Sequence, residues 1–104
     1  IPVRNVKAAQ AYYHEVFGFD IGWELPSGEL GAVSKGEIVF FLRLKESGFD
    51  AITQWVFCED LESVYQQLQS ASANITEPIQ TKPWNLRQFA VEDQDGNVFY
   101  FHAG

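Results

Sequence analysis

A chain of 104 residues has room for one small domain with a single core, and its apolar fraction of 46% with 15% aromatic residues excludes disorder. No apolar run approaches the roughly 20 residues that span a bilayer, and nothing at the start reads as a signal peptide, so a soluble protein is expected. A formal net charge of −7 argues against nucleic acid and anionic membrane as partners and permits a cationic ligand, although solubility alone is also reason for acidity.

One cysteine, Cys58, can make neither an internal disulfide nor a cysteine-based zinc site. A reducing cytoplasm is therefore expected, with Cys58 a small core residue. In chain order, Ile1-Pro-Val-Arg opens without methionine, as a strand entered part-way. Asn5 is placed to cap a helix in which Val6, Ala9, Tyr12, Tyr13, Val16 and Phe17 recur at helical spacing, and Gly18 stops it. Phe19 to Leu25 is extended, with Phe19, Ile21 and Trp23 at alternate positions. Pro26-Ser-Gly28 turns the chain into Glu29 to Val33, and Lys35-Gly36 turns it again into Ile38 to Leu44. The near-continuous apolar character of that last run predicts a strand covered on both faces.

Lys45 to Asp50, with Ser47-Gly48 and charges, is the internal stretch that reads as a linker. Beyond it the pattern restarts. Ile52 to Cys58 is a strand, Asp60 caps a helix carrying Leu61, Val64, Tyr65 and Leu68 at i, i+3, i+4 and i+7, and Pro78 marks a turn region after Ile75. Leu86 to Val91 and Val98 to His102 then flank Asp95-Gly96, which predicts a hairpin with a two-residue type I′ turn. On its second strand Phe99 and Phe101 face one way, while Val98, Tyr100 and His102 face the other, as in the wall of a cleft.

The two halves therefore share one order: strand, helix, then strands. The expected architecture is α+β, with paired βαβββ modules at 1–50 and 51–104 forming a curved mixed sheet with helices outside and a ligand on the concave face. The units pair within one chain or exchange between two.

Together with the Tyr12-Tyr13-x-x-Val16-Phe17-Gly18-Phe19 segment and the Asp93-x-x-Gly96-Asn97 turn, this order resembles the vicinal-oxygen-chelate superfamily of glyoxalases, extradiol dioxygenases and bleomycin resistance proteins. Pro83-Trp84 followed by Arg87-Gln-Phe-Ala90, and Trp55-Val-Phe ahead of Asp60-Leu-x-x-Val-Tyr65, resemble the bleomycin resistance group in particular. Departures are Gln94, where the family turn usually has Pro, and an extra residue between Trp84 and Arg87.

The superfamily's enzymes hold a divalent metal on side chains from four strands. The resemblance assigns the first position upstream of Ile1 and the others to about Phe41, Thr53 and Tyr100. Phenylalanine donates nothing, threonine is a poor neutral ligand and tyrosine an uncommon one, so neither a metal nor another cofactor is expected. A site built around His102 would need unrelated ligands. No spacing signals an activated cysteine, and no catalytic residue is assigned.

The same positions furnish rings. With Thr53 and Tyr100 inward, alternation brings Trp55, Phe57, Val98 and His102 inward too, and Val39 and Arg43 beside Phe41. Trp84 stands on the rim. The resemblance implies that Trp23 closes the other side, on a strand that a partner subunit can contribute. It also implies that a flat heteroaromatic tail stacks between such rings while a cationic end meets acidic residues, with Glu24, Glu29, Asp20 and Glu59 as candidates, in a groove of a homodimer. Planar rings stacking on Trp, Phe and Tyr, and cations on aromatic faces, are the physical grounds. Trp55 and Phe57 are also readable as core of a central strand, and Phe57 equally so. The expectation is a metal-free binder that sequesters a bleomycin-type antibiotic. The alternatives are a metal-dependent glyoxalase or dioxygenase-type enzyme, or a binder of another metabolite.

Overall fold

The computed structural model describes residues 1–45 and 50–103. The chain divides into two compact units, Ile1–Ile52 and Thr53–Gly104. In the first, β1 (Pro2–Val3), α1 (Val6–Glu15), β2 (Asp20–Glu24), β3 (Leu30–Lys35) and β4 (Ile38–Leu44) form a sheet of order β1-β4-β3-β2. In the second, β5 (Thr53–Phe57), α2 (Leu61–Ser70), β6 (Asn74–Thr81), β7 (Arg87–Glu92) and β8 (Val98–Ala103) repeat that topology as β5-β8-β7-β6. Within each, the first strand runs parallel to the last and the other neighbours are antiparallel. The α+β class and the repeated βαβββ order are those the sequence predicts, and hydrogen bonding divides the eight strands into two four-stranded mixed sheets. The linker read at 45–50 falls, at 46–49, outside the described residues.

Both helix starts are built as their caps predict. Asn5 Oδ1 accepts from the Ala8 N–H at 2.8 Å, and Asp60 Oδ1 from the Ser63 N–H at 3.2 Å. Gly18, at φ 73°, ends the first helical run, and the Phe19 N–H then reaches back to the Tyr13 carbonyl. Phe19 is thereby delivered into the core of the first unit, where its ring stacks on Phe40 at 5.4 Å and meets Tyr13 edge-on at 6.3 Å. In the second unit Phe89, fully buried, stacks on Phe101 at 5.3 Å and takes the Tyr65 ring of α2 at 4.8 Å. Phe99 and Phe101 lie on this helix-covered face, as alternation requires.

Five local expectations are corrected. The final hairpin has no two-residue type I′ turn. Glu92 pairs with Val98, so the loop is Asp93–Asn97, and of Asp95 and Gly96 only Gly96 has positive φ (82°). Asp93 organises that loop: Oδ1 accepts from the N–H groups of Asp95 (2.8 Å) and Asn97 (2.9 Å), and Oδ2 accepts from Asn97 Nδ2 (2.9 Å). Pro78 does not turn the chain but sits inside β6, whose edge position and irregular pairing with β7 tolerate its missing N–H. β4 is covered on one face only, leaving Val39, Phe41 and Arg43 exposed. β5 is an edge strand rather than a central one, and Trp55 and Phe57 are exposed, not core. Cys58 is part-exposed.

The alternation of Phe19, Ile21 and Trp23 also fails, for a specific reason. The β2–β3 register slips between Ile21 and Glu24, and this bulge swings Trp23 to the face that bears Phe41, 5.8 Å away. Gln10 of α1 stitches the irregular stretch by donating Nε2 to the carbonyls of Trp23 (2.9 Å) and Ala32 (3.1 Å). Gly31 leaves room for it, since a Cβ there would stand 2.8 Å from that nitrogen and 2.7 Å from Val6 Cγ1.

Candidate ligand-binding site

The second unit's sheet carries α2 on one face. Register fixes what lies on the other: Thr53, Trp55 and Phe57 of β5 beside Val98, Tyr100 and His102 of β8, then Gln88 and Ala90 of β7. Paired positions bring the rings into contact. Trp55 stacks on Tyr100 at 4.4 Å and 15°, and the His102 ring stands edge-on to Trp55 (6.0 Å) and to Phe57 (5.9 Å). The row is continuous because β5 and β8 are parallel and in register.

Above this row lies an open hollow of about 460 Å³, lined by Thr53, Trp55, Glu77, Lys82, Trp84, Gln88 and Tyr100. Trp84 reaches it from the turn after β6, where the Asn85 N–H donates to the Lys82 carbonyl, Lys82 and Leu86 close the turn, and Asn85 takes φ 64°. The Lys82 ammonium lies 5.9 Å from the centre of the Trp84 ring and pairs with Glu77, so the rim is charge-balanced. Trp55 and Trp84 remain 53% and 63% exposed, large ring surfaces available to a flat molecule.

Of the residues chosen from sequence, Thr53, Trp55, Trp84 and Tyr100 meet in this hollow, and Phe57 and His102 extend its ring row. Trp23 and Phe41 adjoin each other on the exposed face of the first unit's sheet. Glu24 does not join them. It pairs with Gly31 on the helix side and lines a separate recess of about 270 Å³ with Arg4, Asn5, Val6, Lys7, Gly28 and Leu44. Glu59, Glu29 and Asp20 do not line the hollow either, and its carboxylate is that of Glu77. Glu77, Lys82 and Gln88 are the residues that sequence reasoning missed. Reading Pro78 as a turn hid the strand bearing Glu77. Gln88 had a usable signal, being a polar residue of the Leu86 to Val91 run that alternation places on one face with Ala90.

The positions assigned to metal ligands can be judged by their chemistry. Phe41 offers a phenyl ring, the Tyr100 ring is packed under Trp55, and among the described residues no three or more His, Cys, Asp or Glu side chains cluster to hold an ion. The residues present do not fit a divalent metal.

The repeated βαβββ order places the protein among α+β folds built from paired modules. Within that class, the chain belongs to the Glyoxalase/Bleomycin resistance protein/Dioxygenase superfamily, whose family model matches residues 1–101. TioX from Micromonospora sp. ML1 superposes with a TM-score of 0.89 at 23% identity, over 99% of this chain and 93% of that one. A bleomycin-binding protein complexed with bleomycin gives 0.87 at 18% identity, covering 100% and 93%. Lactoylglutathione lyase from Agrobacterium tumefaciens gives 0.82 at 17%, covering 100% and 89%. Likeness at these identities establishes the fold. No curated protein sequence matches the chain. Among the described residues, no helix is long and apolar enough to cross a membrane.

Proposed function

We propose that this protein is a small-molecule binder that holds a planar aromatic ligand non-covalently in the hollow of its second unit and sequesters it without chemistry. A bleomycin-type antibiotic is the sharpest candidate. The observation that carries the reading is the stacked Trp55–Tyr100 pair beside Trp84, three rings around a space of about 460 Å³, a volume within the range of small-molecule pockets. Ring stacking supplies affinity at low conformational cost, since each side chain has few rotatable bonds. The Lys82 ammonium against Trp84 indicates that this ring also suits a ligand cation, and the net charge of −7 favours the approach of one. Likeness to a bleomycin-binding protein supports the choice of probe.

The enzyme reading is disfavoured by donor chemistry at Phe41, Thr53 and Tyr100. We also propose a cytoplasmic homodimer. In the first unit Trp23, Leu25, Val39 and Phe41 are all exposed, apolar surface that a second copy would cover. Sedimentation giving twice the mass of one chain supports the dimer, and the mass of a single chain at tens of micromolar removes it.

The test of function is calorimetric titration with bleomycin, followed by mass spectrometry of the recovered drug. The expected result is saturable binding in the micromolar range or tighter, with unchanged bleomycin returned. Absence of binding at high micromolar drug removes the antibiotic reading, and modified drug removes the non-catalytic one.

A further inference from the structure

Two buried polar atoms, Gln88 Oε1 on β7 at the hollow and His102 Nδ1 on the neighbouring β8, have no hydrogen-bond partner among the described residues. Their residues are cross-strand partners and share a face of the sheet. Gln88 lines the hollow yet is only 3% exposed, and His102 is held edge-on by Trp55 and Phe57. Buried polar atoms are ordinarily paired, because an unmatched one gives up its hydration for nothing. Gln88, at the foot of the aromatic-walled space, and His102, its cross-strand neighbour, are matched once a ligand brings the complementary groups.

Resting on the binding reading above, we propose that Gln88 and His102 form a polar recess that selects planar aromatic ligands carrying a primary amide or amino group on the ring edge. The ligand N–H donates to Gln88 Oε1. The remaining N–H or carbonyl meets His102 Nδ1, whose role as acceptor or donor follows the ring's tautomer. Stacking on Trp55 and Trp84 is indifferent to such edge groups, so the rings supply affinity and the recess supplies the choice among flat molecules.

The test compares quinoline-6-carboxamide with methyl quinoline-6-carboxylate, which share a ring system and differ in the N–H donors. Binding to the full chain is followed by NMR of the Trp55 and Trp84 indole N–H signals, with bleomycin titrated in parallel. The amide is expected to bind roughly tenfold more tightly than the ester, the ratio that one hydrogen bond supplies. In Gln88→Met the amide-to-ester ratio falls to within about twofold, and the melting temperature of the free protein rises because the unmatched acceptor is gone. Equal binding of amide and ester to the wild-type protein, or a preference that survives in Gln88→Met, overturns the recess and leaves the aromatic hollow standing. Bleomycin binding without either quinoline does the same. Failure of all three ligands at millimolar concentration overturns the hollow and the recess together. Should Gln88→Met not fold, the wild-type comparison decides.

Discussion

Replacing Trp55 with alanine separates a binding platform from a core residue, because the two roles predict opposite rankings against Phe89→Ala. Phe89 is fully buried between Tyr65 and Phe101, and its truncation should cost about 4 kcal/mol, near the middle of the range for large buried aromatics. Trp55 stands on an edge strand with about half its surface in solvent, so burial contributes roughly half as much, and part of the remainder is the stack on Tyr100. The expected cost is about 2 kcal/mol, or roughly 10 °C in melting temperature for a domain of this size. The effect on ligand should be larger in proportion. Loss of one stacking platform is worth on the order of 1–3 kcal/mol, which weakens bleomycin binding roughly tenfold to a hundredfold. Urea denaturation of both variants gives the first pair of numbers, and calorimetric titration of Trp55→Ala at a temperature where it is fully folded gives the third. The reasoning is refuted if Trp55→Ala destabilises as much as Phe89→Ala while bleomycin affinity stays within twofold of wild type.

Lys82→Met removes an ammonium that occupies the Trp84 face and pairs with Glu77, so bleomycin should bind several-fold more tightly and a neutral aromatic no better, as read by paired titrations. Asp93→Ala strips three hydrogen bonds from the buried loop before β8 and should cost about 3 kcal/mol in urea denaturation, with amide exchange accelerating first at Asp95 and Asn97. Gly31→Ala forces a Cβ against Gln10 and Val6 and should cost about 2 kcal/mol, accompanied by a shift in Trp23 fluorescence as the Gln10 bridge to its carbonyl gives way.

Helix starts, strand order and the repeat were legible because each rests on local chemistry. Asn5 and Asp60 cap, Gly18 takes a left-handed conformation, and hydrophobic period distinguishes helix from strand. The ring row of the hollow was legible for a related reason: once Thr53 and Tyr100 share a face, alternation carries Trp55, Phe57 and His102 with them. The errors arise where pairing between strands, not sequence within one, decides the outcome. A bulge moved Trp23 across the sheet and left Glu24 with Arg4 and Lys7. Edge position admitted Pro78 into a strand, and with it Glu77 into the hollow. Exposure of one face of β4, and of Trp55 and Phe57, depends on how many layers cover a sheet, which an apolar run such as Ile38 to Leu44 does not encode. Gln88 shows the limit most plainly: alternation reveals the face it shares with His102, but nothing in the sequence tells a buried, unmatched amide from a solvated one.

The most direct measurement is the response of the three tryptophan indole N–H signals to added bleomycin, assigned by single Trp→Phe substitutions. A ligand seated in the second unit's hollow shifts Trp55 and Trp84 together, saturating at the concentration calorimetry gives. Saturable binding that leaves both signals in place would contradict the account.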